Sequence, residues 1–178
     1  MATPTALPAA FTVGQVLTSA DMNLLRGAFR VLQVVSTTKT DKFTTSSTSY
    51  VDLTGLSVSI TPTSSSSKVF VLFTGNGSGQ TGAAEVQVQM MRGSTAINIG
   101  DAAGSRTQVT TGGISDSAAI FSMASVFLDS PATTSATTYK MQVRTNGGAI
   151  AINGAQSDAD IVQRARTTST ITVMEISA

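Results

Sequence analysis

The chain has 178 residues, enough to bury a hydrophobic core without covalent staples, and it contains neither cysteine nor histidine. Disulfides, histidine-based catalytic triads, zinc sites and histidine acid–base chemistry are therefore excluded. Charged residues make up only 12% of the chain and the net charge is +1, so no broad basic field exists to hold a nucleic-acid backbone.

Residues 1–10 (MATPTALPAA) lack the basic and apolar regions of a secretory signal, and no apolar run approaches the ~20 residues that cross a bilayer. The expectation is synthesis in a cytoplasm and assembly there, without membrane insertion. Residues 1–30 read as an extended Pro/Ala/Thr stretch leading into one short helix. Thr18 can cap that helix, with Asp21 in the acidic position of a capping-box-like start. Met22, Leu25 and Phe29 then share an apolar face that Leu24 and Ala28 widen. Such a helix is too short to stand alone in water and must dock on its own domain, a sister chain or another protein.

From Val31 the period changes to two, and residues 31–178 read as one β domain. Tyr50, Leu53, Leu56, Val58 and Ile60 punctuate a Ser/Thr run ending at Pro62 and the serines 64–67. Residues 69–73 (VFVLF) form a continuous apolar strand that Gly75-Asn76-Gly77 is expected to close. Residues 85–91 alternate again, and after Gly93-Ser94 a short strand runs through Ile97 and Ile99. Residues 118–128 are the longest strand candidate. Residues 137–144 and 149–152 flank Asn146-Gly147-Gly148, a hairpin signal, and residues 170–176 close the chain. Residues 155–168 read as loop, with Ile161-Val162 a weak edge strand. The sum is an all-β chain of about 8–9 strands at the spacing of a sandwich or barrel.

Two central strands are apolar on both faces. In one, Ile120, Ala124, Val126 and Leu128 oppose Phe121, Met123 and Phe127; in the other, Val69, Val71 and Phe73 oppose Phe70 and Leu72. A sandwich has one interior, so the second face needs another cover. The subunit interface is assigned to Phe121, Met123, Phe127, Phe70 and Leu72. The competing reading covers that face with the helix or a loop of the same chain.

Chemistry-bearing constellations are sparse. Asp158-Ala159-Asp160 offers two carboxylates, too few for a calcium site, and Arg164 and Arg166 nearby are expected to balance them. Gly75, Gly77, Gly79 and Gly82 (GNGSGQTG) follow a strand, but no Lys-Ser/Thr follows them, so a loop at the sandwich tip is favoured over a phosphate cradle. No base is placed to activate a serine, and the aromatics are not interleaved with basic residues. No enzymatic role, no cofactor, no metal and no nucleic-acid partner are expected.

Residues 34–75 (VVSTTKTDKFTTSSTSYVDLTGLSVSITPTSSSSKVFVLFTG), 127–145 (FLDSPATTSATTYKMQVRT) and 169–176 (STITVMEI) resemble a group of small virion proteins of tailed bacteriophages. Residues 11–23 (FTVGQVLTSADMN) are similar to a leader found at the start of phage tail-fibre and related structural proteins. The resemblance implies a jelly-roll sandwich of the tumour-necrosis-factor-like kind, assembled as a homotrimer. It also implies that residues 1–30 attach to other virion proteins, through Val16, Leu17, Met22, Leu25 and Phe29. The role it implies is a fibre-like appendage for host attachment, with capsid decoration or head-fibre cement as the alternative and a minor tail or neck connector as a weaker one. A host surface glycan or protein would meet loop residues, for which Asn76, Ser78, Gln80, Gln156, Asp158 and Asp160 are the candidates.

Overall fold

The structure, a computed structural model, describes residues 30–80 and 84–177 together with positions 14, 16, 18 and 19. The expected helix, with Leu17, Met22, Leu25 and Phe29, lies outside the described residues; Val16 is exposed.

Period-two alternation becomes eleven strands: β1 (Val31–Lys39), β2 (Phe43–Thr45), β3 (Val51–Ile60), β4 (Lys68–Gly79), β5 (Glu85–Arg92), β6 (Thr95–Ile97), β7 (Thr111–Ile114), β8 (Phe121–Asp129), β9 (Thr137–Thr145), β10 (Ile150–Ile152) and β11 (Ser169–Ile176). The count exceeds the expected 8–9 because β2, β6 and β10 are three-residue strands. The short β6 ends at Ile97 rather than Ile99, β7 lies in a stretch without strong alternation, and Ile161-Val162 forms no strand.

All pairings are antiparallel. One sheet runs β1-β11-β4 with β8 on the far edge of β4, extended by β10 and β2; the other runs β3-β9-β5, with β6 and β7 sharing the outer edge of β5. Without the three short strands, the order is β1-β11-β4-β8 over β3-β9-β5-β7. Partners β1/β11, β3/β9, β4/β8 and β5/β7 nest within one another along the chain, which is the jelly-roll arrangement.

The core lies between the sheets. Val69, Val71 and Phe73 on β4 and Ile171 and Val173 on β11 meet Leu56, Val58 and Ile60 on β3, Val86, Val88 and Met90 on β5, and Met141 and Val143 on β9. Strand β4 continues six residues beyond Phe73, through the segment expected to be a turn. The reason is its own periodicity. Gly75, Gly77 and Gly79 continue the inward-facing positions of Val69, Val71 and Phe73, and each sits where a larger residue would collide. A Cβ on Gly75 would lie 2.7 Å from the Phe73 ring, on Gly77 3.1 Å from Phe121 and Met123, and on Gly79 2.0 Å from the Ala84 carbonyl oxygen. The glycines let the neighbours close over the strand.

The ends of the sandwich differ. At the entry end, β1 begins and β11 finishes: Ser177 N–H donates to the Arg30 carbonyl and Arg30 N–H to Ser177 Oγ, both at 2.9 Å. The connections at residues 61–67, 93–94 and 130–136 share this end. At the far end lie residues 40–50, Gln80, Ala84, and residues 115–120, 146–149 and 153–168.

Candidate functional site

Three places on the sandwich bring functional side chains together. The first is the far end, where Asn153 organises the long segment 153–168. It is buried with a positive φ of 64°, a conformation asparagine tolerates. Its amide donates to the carbonyls of Lys39 (2.9 Å) and Asp41 (3.2 Å), while its side-chain oxygen accepts from Ser169 Oγ at 2.6 Å. The Gly154–Arg166 bridge and the Gln156 N–H to Ser78 Oγ bond (3.0 Å) tie the segment down further.

This end gathers Gln80, Gln156, Asp158 and Asp160. Asn76 and Ser78 are corrected: both belong to β4, not to a loop, and Ser78 is buried beneath Asp116 and Gln156. Asp158 faces Lys42 Nζ at 3.3 Å and the Arg166 guanidinium. The Arg166 hydrogen bond, then Lys42, hold its carboxyl at about 2. Arg166 therefore balances Asp158 as expected, whereas Arg164 makes no ion pair among the described residues. No three of His, Cys, Asp or Glu gather to hold a metal ion among the described residues.

The second place is the entry end of the interior. Asp129 on β8 crosses to the other sheet, accepting from Arg92 Nη1 (2.8 and 3.0 Å) and from the Tyr139 hydroxyl (2.6 Å). Burial, and next the Asp129 carboxylate, push the Tyr139 phenol far above its ordinary range. Arg92 also lines an open cleft of about 320 Å³ with Pro131, Thr133, Thr137 and Thr138. In the same inward row as Asp129, on the other side of Val69, Glu175 accepts from Gln33 Nε2, Thr63 N–H and Thr63 Oγ1, each at 2.7 Å. Sequence reading missed both buried carboxylates, because nothing in TITVMEI or FLDS marks an inward acid. Alternation was the available signal: Glu175 shares parity with Ile171 and Val173.

The third place is the outward face of the β1-β11-β4-β8 sheet. Register sets its side chains in rows across the four strands. Val34, Met174, Phe70 and Leu128 form one row, Ser36, Thr172, Leu72 and Val126 the next, and Thr38, Thr170, Thr74 and Ala124 a third. Val34 is 56% exposed, Val126 58% and Leu128 54%. Lys68, at the margin and bound to Ser130 Oγ at 2.8 Å, is the one ionisable side chain at an outward position of these strands among the described residues. The opposite sheet is the reverse: its outward face carries Asp52 bound to Lys140 and Gln142, and Arg144 stacked over Tyr50 at 5.8 Å.

This placement corrects three of the five residues of the expected interface. Phe70 and Leu72 do point outward. Phe121, Met123 and Phe127 point inward: Met123 is part of the core cluster, and Phe121 and Phe127 pack against it. Gly113 makes room for the Phe121 ring, since a Cβ there would stand 2.7 Å from it. The outward positions of β8 are Ala124, Val126 and Leu128.

No family model and no curated protein matches the chain. Among solved structures, it is similar to a chain from a structure of infectious bursal disease virus, Gx strain, at 14% identity and a TM-score of 0.42. That likeness covers 97% of this chain and 45% of the other, so this chain spans less than half the length of that one.

Proposed function

We propose that this chain is a non-enzymatic structural protein of a bacteriophage virion, a trimeric fibre-like appendage that carries host attachment. The observation that carries the reading is the polarity of the sandwich. Residues 11–23, which resemble the attachment leader of phage fibres, precede a strand that enters at one end, while the long segment 153–168 sits at the other. With strands of eight to twelve residues between them, the two ends stand roughly 30 Å apart. An anchor on one side and a presenting surface on the other is the geometry an appendage needs. In this reading the protein is made in the host cytoplasm and resides in the virion, where residues 1–30 hold it to other virion proteins. A host glycan or protein then meets Gln80, Gln156, Asp158 and Asp160.

Capsid decoration is the second reading, favoured by the absence of any shaft between residue 30 and the sandwich. Purified full-length protein added to intact host cells and to bare capsids separates the two. Saturable binding to cells, competed by surface polysaccharide, is expected. Binding to capsids with none to cells would replace the fibre by the decoration protein.

A further inference from the structure

We infer that the outward face of the β1-β11-β4-β8 sheet is the surface through which copies of this chain associate, with Phe70, Leu72 and Met174 on its central strands and Val34, Val126 and Leu128 on its margins. The inference deepens the proposed trimer by naming its contact surface. The rows are apolar toward the entry end and carry hydroxyls toward the far end, where Ser36 pairs with Thr172 at 2.8 Å and Thr38 with Thr170 at 2.9 Å. Each pair supplies one donor and one acceptor within the sheet, and Ser36 also reaches the Ile171 carbonyl at 3.4 Å, which lowers the cost of covering these hydroxyls.

Charge identifies the occupant. A face with no ionisable group inside its margin can meet its own copy without like-charge repulsion, and depletion of charge is what distinguishes the centre of an interface. The opposite sheet, with Asp52, Lys140 and Arg144 outward, lacks that property. Four strands about 4.8 Å apart and three rows about 6.8 Å apart give a face of about 400 Å² on each copy, about 800 Å² for a pair. The loops bordering the face therefore have to add to the contact if it is to reach the roughly 1,000 Å² of a specific interface. The short apolar stripe of Met22, Leu25 and Phe29 would cover only part of it.

The test is sedimentation velocity on the full chain at micromolar concentration, with urea unfolding as the check on fold. Wild type should sediment as an oligomer. Val126→Lys with Leu128→Lys, and separately Val34→Lys on the other margin, should weaken association at least ~100-fold while the monomer stays folded, since these side chains are more than half exposed. Val162→Lys, at a 95% exposed apolar residue away from the face, should change nothing. A monomeric wild type, or an oligomer indifferent to all three face substitutions, overturns the inference. So does a monomer that associates only after removal of residues 1–29, which would make that segment the cover. A dimer that the face substitutions dissolve keeps the surface and overturns the three-fold reading instead.

Discussion

At the entry end of the interior, Glu175 is fully buried and held by the neutral donors Gln33 and Thr63. Burial works to raise its carboxyl, but the hydrogen bonds outweigh burial and hold it at about 2, against an ordinary 4.5. A depressed folded-state value means that the unfolded chain takes up the proton first. The stabilisation is complete above pH 4.5 and is lost as pH falls toward 2. Urea unfolding across that window should show the decline in wild type and a flatter profile in Glu175→Gln. An equal slope in both would assign the acid sensitivity elsewhere. Gly79 makes a steric claim at the same scale. Its missing Cβ would lie 2.0 Å from the Ala84 backbone oxygen, so Gly79→Ala should cost about 2–3 kcal/mol in chemical denaturation. Gly93→Ala meets nothing within 4 Å and carries only the strain of a positive φ of 58°, so its cost should be the smaller, about 1 kcal/mol.

Between elements, Asp129 joins the sheets at one end of the sandwich. It belongs to β8 in one sheet, while Arg92 and Tyr139 belong to β5 and β9 in the other. Removing the carboxylate would strand a guanidinium and a buried phenol together. Asp129→Ala should therefore destabilise by about 3 kcal/mol, a Tm loss of roughly 6–12 °C for a domain of this size. Scanning calorimetry checks it, and a loss no larger than that of an exposed-site control such as Val162→Ala would remove the cross-sheet role. Strand β8 also shows why the face assignment needed the fold. Phe121, Met123 and Phe127 are bulkier than Ala124, Val126 and Leu128, yet both sets are apolar, and alternation alone cannot say which one meets the other sheet. Pairing Val71 with Phe127 and Leu72 with Val126 decides it, because Val71 is already committed to the core.

For the whole molecule, polarity along the strands makes a prediction about tolerance. A short tag inserted after Val162, in the exposed far-end segment, should leave the protein able to join the particle while reducing binding to host cells. The same tag between Ser65 and Ser66 at the entry end should block incorporation. Electron microscopy of labelled particles and a cell-binding assay read the two effects. Incorporation lost with the Val162 tag and kept with the Ser65 tag would reverse the orientation.

Local pattern by itself determined the β class, the rough positions of most longer strands, the double-sided greasiness of β4 and β8, and the poverty of catalytic groups. Each depends on side-chain type and a period of two, which neighbours in the chain already contain. Tertiary structure alone decided that Gly75-Asn76-Gly77-Ser78-Gly79 is strand, that Phe121, Met123 and Phe127 look inward, and that Glu175 and Asp129 are buried acids with partners 112 and 37 residues away. These outcomes turn on what stands across the sandwich or across a strand pair. Contacts of that kind exist only once distant segments meet.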